Sequence, residues 1–397
     1  MVLEERPRGM TLLSPFRDVA IAGIGKTEMA RRLPTTTLSA CLSAMRIALD
    51  DAGLGFDDVD GISARWPGPG GTVFIPGSAD WASLLGIPLR WISDTYPQGV
   101  PAAIDAACAI AAGQCDVAVV VGGQAGVLGG GSVASYTRPD NEFVSCWGSI
   151  TQAQFALVAR VYYDRYQPNP KRLAGLAATI RNTGSDNPES VMYGRGPYTS
   201  SDVLASPLIA SPFHLLEVCL ASEGAAAMVL TTVERARDSR AIPVRILGGA
   251  CEWYQQQYVD PPRYDDVGRI GEHASRRTLN MAGIDVSDID VFELYDINIF
   301  EVVRQLEVLG LCGEGEGTDY AHEKVISPSG GLPVNTDGGL LSNAHIGWGA
   351  PTLKIIEAVH QLRGSARTGQ VLGARTALVT GAGSGAQYHN VMVLGSD

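Results

Sequence analysis

The seven cysteines are the residues of this chain whose chemistry can be judged most directly from their spacing. They are scattered over 397 residues, and no two form a Cys-x-x-Cys pair. Zinc sites need closely spaced ligands, and secreted disulfide frameworks need an even number of cysteines. We therefore expect reduced thiols, a cytoplasmic location and no metal site.

Two glycine-rich stretches invite comparison with phosphate-binding loops. They are residues 122–126 (Gly-Gly-Gln-Ala-Gly) and residues 381–385 (Gly-Ala-Gly-Ser-Gly). A dinucleotide loop needs Gly-x-Gly-x-x-Gly between a strand and a helix. Neither stretch has that spacing before a clear helix, and the second leads into another strand. The sequence therefore argues against a nucleotide-binding fold.

The composition is that of a compact α/β protein. Charged residues make up 18% and hydrophobic residues 45%, with 47 glycines. The net charge of −12 and the lack of a basic run argue against nucleic-acid binding. No apolar run is long enough to cross a membrane. Residues 1–17 are predicted to be a short leader, because they are charged and have no signal-peptide core.

A repeat divides the chain into two halves. Residues 49–60 align without a gap with residues 279–290. In both segments a helix ends at Ala-Gly, a short turn follows and a buried strand begins, and glycine suits the left-handed position after a helix. An apolar helix and another strand follow each copy. We infer a duplication, with one half at 18–242 and the other at 243–397.

Each half is predicted to have the order β-α-β-α-β-β. Strands are expected at 19–24, 59–63, 91–95, 116–121, 226–231, 244–249, 291–294, 376–380 and 391–394. Helices are expected at 38–52, 103–113, 299–309 and 353–364, with a further helix that ends at residue 282. Alternating strands and helices predict parallel sheets that are covered on both faces.

An insertion at about 124–222 lies outside this pattern. It is rich in aromatic residues and is predicted to be rich in loops. An excursion of this size forms either a lid or binding wall, or a subunit interface, and both alternatives stay open.

Five short motifs, in the order of the family, make the chain resemble a thiolase of the sterol-carrier-protein-x type. They are residues 19–25, 113–116, 221–227, 293–296 and 338–345. The resemblance covers nearly all of 18–395. It implies the thiolase fold, an α/β fold in which the duplicated halves form a layered αβαβα arrangement. It also implies a homodimer with the strand at 91–95 at or near the two-fold axis.

The resemblance also shows which family residues have been replaced. The family's nucleophile is a cysteine at the start of a helix, where the helix dipole lowers its pKa. At that spacing this chain has residues 96–99 (Tyr-Pro-Gln-Gly), so Tyr96 takes the place of the cysteine. Glycines at 381–385 stand where the family has an acid–base cysteine. The family's His-Asp-Cys-Phe is replaced by residues 295–298 (Tyr-Asp-Ile-Asn).

One catalytic residue of the family is retained, because His345 matches its Gly-His-Pro histidine. This combination resembles the steroid side-chain aldolases, thiolase-like proteins that cleave a β-hydroxyacyl-CoA without an acyl-enzyme. The resemblance implies Tyr295 and His345 as the catalytic pair, with Tyr96, Asp296 and Asn343 in supporting roles. We expect His345 to be the base and Tyr295 the donor. Those aldolases carry tyrosine at the position of His345, so the assignment of acid and base stays open.

The expected function is therefore retro-aldol cleavage of a β-hydroxyacyl-CoA, with steroid-sized, aromatic and short branched acyl groups all open. Two alternatives remain, because a fold does not fix a function. One is a thiolase-like acyltransferase or β-ketoacyl-CoA thiolase with an unusual site, and the other is a non-catalytic acyl-CoA-binding subunit. We expect no cofactor on this chain, with CoA present only as part of the substrate. The resemblance implies a small OB-fold partner protein that carries a zinc ribbon.

Overall fold

The computed structural model describes residues 14–65, 77–95, 97–126, 151–254, 261–383 and 385–396. The strands are β1 Val19–Lys26, β2 Gly61–Arg65, β3 Trp91–Ser93, β4 Val117–Gln124, β5 Leu208–Ala210, β6 Phe213–His214, β7 Gly224–Thr232, β8 Val244–Trp253, β9 Val291–Glu293, β10 Thr376–Gly383 and β11 Tyr388–Gly395. The α-helices are α1 Thr37–Ala52, α2 Ala79–Leu85, α3 Val100–Ala111, α4 Thr151–Tyr166, α5 Pro170–Asp186, α6 Ser200–Ala205, α7 Val233–Ala236, α8 Tyr264–Val267, α9 Glu272–Ala282, α10 Ile299–Val308, α11 Gly317–Lys324, α12 Gly339–Ser342 and α13 Ala350–Arg363.

The main sheet is built from two equivalent halves. Within the described residues its strand order is β3-β2-β4-β7-β1-β8-β11-β10-β9. Strands β1 and β8 join the halves through two residue pairs, Ala20 with Arg245 and Ile21 with Val244. From this junction outwards the orders β1-β7-β4-β2 and β8-β11-β10-β9 correspond strand for strand. The topology therefore repeats, as the duplicated sequence does.

The sheet is mixed, so the prediction of parallel sheets was wrong in part. Strand β2 is parallel to β3 and β4, and β9 is parallel to β10. Strand β7 is antiparallel to β1 and β4, and β11 is antiparallel to β8 and β10. A parallel pair needs a long crossover, whereas only the short segment 384–387 joins β10 to β11. The closing strand β11 of the second half therefore runs against its neighbours, and β7 takes the same direction in the first half although the long insertion precedes it.

Three apolar cores separate the layers. The outer core of the first half is formed by α1 against β1, β2, β4 and β7. The middle core holds α3 and α13 between the two halves of the sheet. The outer core of the second half contains α10 together with α4 and α5. The order of layers is helix, sheet, helix, sheet, helix, which confirms the predicted α/β fold class.

The repeated segments adopt the same local structure. Helix α1 ends at Gly53 with φ of 76°, and α9 ends at Gly283 with φ of 70°. A 3-10 turn follows in each copy, Phe56–Asp58 in the first and Val286–Asp288 in the second. A residue with a side chain is disfavoured at these φ values, which accounts for glycine in both copies.

The described part of the insertion is helical, so the prediction of a loop-rich segment was wrong for residues 151–205. Helix α4 buries Phe155, Val158, Ala159 and Tyr162, a spacing of three to four residues that is typical of one helix face. The ring of Tyr162 packs 5.3 Å from that of Phe300, which belongs to the second half of the chain. These aromatic residues therefore attach the insertion to the core. Residues 127–150 lie outside the described part of the chain.

Candidate active site

Tyr295 lies just beyond the end of β9, at the carboxyl end of the strand. Its backbone N–H donates to Thr380 Oγ1 at 2.8 Å, and its carbonyl accepts from Gln305 Nε2 at 2.9 Å. Thr380 and Gln305 are themselves hydrogen-bonded to each other. The backbone of Tyr295 is thus held between β10 and α10, while its ring is 6% exposed.

His345 follows α12 and pairs with the end of the insertion. Its N–H donates to the carbonyl of Leu220 at 3.1 Å, and its carbonyl accepts from Ser222 N–H at 2.9 Å. As a whole residue, His345 is half-buried. The end of the insertion therefore fixes the backbone of the histidine.

The structure brings the two expected catalytic side chains together. Tyr295 Oη lies 3.2 Å from His345 Nε2, and the rings meet edge to face with 6.3 Å between their centroids. Burial lowers the pKa of His345 to about 4, although the charge of Asp296 acts in the opposite direction. The imidazole is therefore neutral at pH 7. A neutral imidazole has one N–H donor and one acceptor nitrogen, so the hydrogen bond with the Tyr295 hydroxyl runs in either direction according to the tautomer.

Asp296, the residue after Tyr295, is fully buried. Its Oδ1 accepts from the N–H of Leu340 at 2.8 Å, and its Oδ2 accepts from the N–H of Leu341 at 3.0 Å. Gly339, with φ of 60°, packs so closely on this carboxylate that a Cβ would overlap it. Asp296 therefore fixes the first turn of α12, the helix that precedes His345.

Asn343 lies at the end of α12, where its Nδ2 donates to Asp337 Oδ2. Its carbonyl accepts from the N–H of Val191 at 2.9 Å. The Oδ1 atom is buried and has no hydrogen-bond partner within the described residues. Val191 also lines a cleft of about 610 Å³ between residues 26–31 and 188–193. Asn343 thus links the His345 segment to the wall of this cleft.

Tyr96, the remaining expected site residue, lies outside the described residues. The residues that follow it are tightly packed. Gln98 is buried, and its Nε2 donates to the carbonyl of Val121 at 2.9 Å. A Cβ on Gly99 would clash with Pro351, and Gly99 has φ of 82°. The start of α3, where the family carries its nucleophile, is closed in by the end of β4 and the start of α13.

None of the described cysteines has the lowered pKa of a reactive thiolate. Burial raises the pKa of Cys115, Cys219, Cys251 and Cys312 to about 12 each, and it raises those of Cys41 and Cys108 as well. Cys219 directly precedes Leu220, whose carbonyl accepts from the N–H of His345. Cys146 lies outside the described residues.

Gly381 leaves space where the family has its second cysteine. A Cβ added there would meet Asn390 Nδ2 at 3.5 Å, an ordinary contact. Asn390 is fully buried, and neither atom of its amide has a hydrogen-bond partner in the described part of the chain. Strand β11 thus places a neutral amide next to Gly381 of β10.

Sequence reasoning missed the residues that support the pair from behind. Thr380 and Gln305 hold the backbone of Tyr295, and Lys354 lies 2.9 Å from Asp296 Oδ1. A lone lysine within residues 353–356 (Leu-Lys-Ile-Ile) was the one available signal, because an unpaired lysine is rarely buried on an apolar helix face.

The described residues lack two kinds of feature. They contain no group of three or more His, Cys, Asp or Glu residues that could hold a metal ion. They also contain no helix that is both long and apolar enough to span a bilayer.

Known proteins resemble this chain over nearly its whole length. The family model described as Thiolase C-terminal domain-like matches residues 267–396. The chain is 32% identical to the 17-hydroxy-3-oxo-4-pregnene-20-carboxyl-CoA lyase of Mycobacterium tuberculosis, over 93% of this chain and 97% of the relative. It is 30% identical to the steroid side-chain-cleaving aldolase of Thermomonospora curvata, over 95% of this chain and 98% of the relative.

A solved structure shows the same likeness. The chain superposes on the Ltp2-ChsH2(DUF35) aldolase with a TM-score of 0.81 and 29% sequence identity. The superposition covers 97% of this chain and 99% of the other.

Proposed function

We propose a function on the premise that this chain belongs to the thiolase superfamily, in its thiolase-like, sterol-carrier-protein branch. The proposed activity is that of a carbon–carbon lyase, which cleaves a β-hydroxyacyl-CoA by a retro-aldol reaction without an acyl-enzyme. The observation that carries this proposal is the contact of Tyr295 Oη with His345 Nε2 at 3.2 Å. This pair offers proton transfer, whereas the described thiols offer no nucleophile.

In the proposed reaction His345 takes the proton of the substrate's β-hydroxyl group. The oxygen forms a carbonyl, the bond between the α and β carbons breaks, and its electron pair forms the thioester enolate. Tyr295 donates a hydrogen bond to the enolate oxygen, where charge develops. The proton on His345 then returns to the α carbon. One carbonyl compound and one shortened acyl-CoA leave, so atoms and charges balance.

The low pKa of His345 suits a role in which the histidine holds the proton only briefly. A base with a pKa of about 4 is neutral and ready at pH 7. Its protonated form is a stronger acid than an ordinary imidazolium, and it readily gives the proton to the enolate carbon. The imidazolium thus forms at the same step in which negative charge develops on the neighbouring thioester enolate.

We also propose that the substrate is a β-hydroxyacyl-CoA thioester and that a small OB-fold protein with a zinc ribbon completes the site. The relatives named above act on steroid side chains, and the similar structure contains a DUF35 partner. The acyl group itself stays open among steroid-sized, aromatic and short branched groups.

Single variants of the pair test this function. Tyr295→Phe and His345→Ala should each lower kcat for β-hydroxyacyl-CoA cleavage by about a hundredfold or more. Substrate affinity should stay nearly unchanged, because neither group holds the CoA. The double variant should be little worse than the worse single, since residues that act as one unit are not additive. Full activity of Tyr295→Phe, in which only one oxygen is removed, would exclude the phenol as a donor.

A further inference from the structure

Lys354 is a buried cation behind the candidate active site. It lies on α13 and is 1% exposed. Its Nζ is 2.9 Å from Asp296 Oδ1 and 3.6 Å from Glu293 Oε2. These two acids flank Tyr295, because Glu293 ends β9 and Asp296 is the next residue after Tyr295. One ammonium group therefore contacts the chain on both sides of the tyrosine.

The same ammonium is connected to the histidine. Asp296 accepts the N–H groups of Leu340 and Leu341 in the first turn of α12. His345 follows the end of that helix by three residues, and α13 begins five residues after His345. Lys354 on α13 and Asp296 beside Tyr295 thus hold the histidine segment from both of its ends.

Further carboxyl groups surround this contact. Asp337 receives hydrogen bonds from Gly339 N–H and from Asn343 Nδ2. Glu293 and Glu357 share the hydroxyl group of Thr336, at 2.8 and 2.7 Å. Burial raises the pKa of Glu293 to about 7, against the opposing effect of Lys354, and it raises the pKa of Glu357 well above the usual range.

The hydrogen bonds of Thr336 place one proton in this cluster. Its hydroxyl contacts both carboxyl groups and also accepts from Gln361 Nε2 at 2.9 Å. A hydroxyl has one proton, so it donates to one carboxyl oxygen and accepts from the other. One of the two acids is therefore protonated. Lys354 is adjacent to Glu293 and favours its ionised form, which leaves Glu357 as the protonated acid. Lys354 is then the cation of a cluster whose net charge stays negative.

We propose that Lys354 is a positioning residue, which holds the Tyr295 segment and the His345 segment in the geometry that lets the two side chains meet. Its ammonium does this through Asp296, whose carboxylate it neutralises while that carboxylate binds the start of α12. The inference deepens the proposed function and rests on it for the kinetic part of its test. The positional part concerns the free protein and does not depend on the reaction.

Lys354→Met tests the proposal, because methionine keeps most of the volume and removes the charge. We expect kcat to fall at least tenfold while KM stays within about twofold, since the residue does not touch substrate. The pKa of His345, measured by NMR of the labelled ring in the absence of substrate, should rise because Asp296 loses its counter-charge. Lys171→Met, at an exposed lysine on α5, is the matched control and should change neither quantity.

The double variant Asp296→Asn/Lys354→Met removes both charges. Its His345 pKa should return to the parent value or below, and the folded protein should be more stable than Lys354→Met. If Lys354→Met is not recovered folded, recovery of a folded double variant supports the coupling. A double variant that also fails to fold would overturn it.

Two further results separate this inference from the proposed function. A folded Lys354→Met protein with unchanged kcat and unchanged His345 pKa would refute the positioning role. A raised His345 pKa in a protein that cleaves no β-hydroxyacyl-CoA would support the positioning role and refute the proposed function.

Discussion

Tyr295 and His345 meet in surroundings that remove charge from the imidazole. Burial lowers the pKa of His345 to about 4, while hydrogen bonds from Thr380 and Gln305 hold the tyrosine backbone in place. The pair is therefore pre-arranged for proton transfer. The neutral imidazole does not supply the positive charge that stabilises a catalytic thiolate.

The pH dependence of kcat/KM follows from the histidine. The base form is the neutral imidazole, which is present above the pKa of about 4 and is lost as the pH falls through that value. We expect kcat/KM to show no acid limb between pH 7.5 and pH 5.5. Rates over this range, with circular dichroism as a control for folding, check the prediction. An acid limb centred near the ordinary histidine pKa of about 6.5 would contradict it.

The sequence identified the pair but not its supports. Tyr295 and His345 stand at motif positions, so their types and order were enough to single them out. Lys354 lies 58 residues from Asp296 in the chain and meets it only because α13 packs behind β9. The pairing of Asp337 with Asn343 likewise depends on the turn at Gly338 and Gly339. Contacts of this kind need the fold.

At the scale of elements, the start of α12 is the part that depends most on one residue type. Gly339 combines φ of 60° with direct packing on Asp296. We expect Gly339→Ala to displace Asp296 and to lower kcat at least tenfold. Gly364→Ala is the matched control, because Gly364 has φ of 67° and nothing within 4 Å of an added Cβ.

Thermal unfolding and kinetics of the two glycine variants decide this point. Gly364→Ala should lose about 1–2 kcal/mol of stability from backbone strain alone and keep its kcat. Equal kcat losses in both variants would show that backbone strain, and not the contact with Asp296, explains the effect.

The elements that the sequence predicted are those with a clear periodicity. Helix α1 and strand β1 were expected at 38–52 and 19–24, and they occur at Thr37–Ala52 and Val19–Lys26. Strand direction was not predictable in the same way, because direction depends on pairing partners that lie far apart in the chain. The helices of the insertion were missed because its aromatic residues were assigned to a lid or binding wall, or to a subunit interface, and not to a helix face.

At the scale of the whole molecule, the layered arrangement is the one that the resemblance to thiolases implied. Two copies of one unit bury α3 and α13 against each other's sheets, which gives the middle helical layer. The sequence could not show how the two halves of the sheet join, because only two residue pairs, between β1 and β8, form the junction within the sheet.

The exposed edge strand β3 leads to a prediction about assembly. Strand β3 is outermost in the strand order, and its Ile92 is 48% exposed. An uncovered edge strand is available for pairing with a second chain, and an interface of identical strands is isologous. We expect a homodimer with β3 at or near the two-fold axis, measurable by analytical ultracentrifugation.

A lysine introduced on the edge strand β3 provides the control for the predicted homodimer. Ile92→Lys should weaken the dimer and leave each chain folded, because the side chain is exposed in the single chain. A parent protein that is monomeric at micromolar concentration would contradict the prediction.

The most direct test of the account is cleavage of a β-hydroxyacyl-CoA in the absence of free CoA. A thiolase needs free CoA to release its acyl-enzyme, whereas a retro-aldol reaction needs none. With the purified protein and its small partner, we predict equal amounts of a carbonyl compound and a shortened acyl-CoA, measured by liquid chromatography and mass spectrometry. Cleavage of only β-ketoacyl-CoA that requires free CoA, together with an acyl group on a cysteine of the protein, would contradict the account.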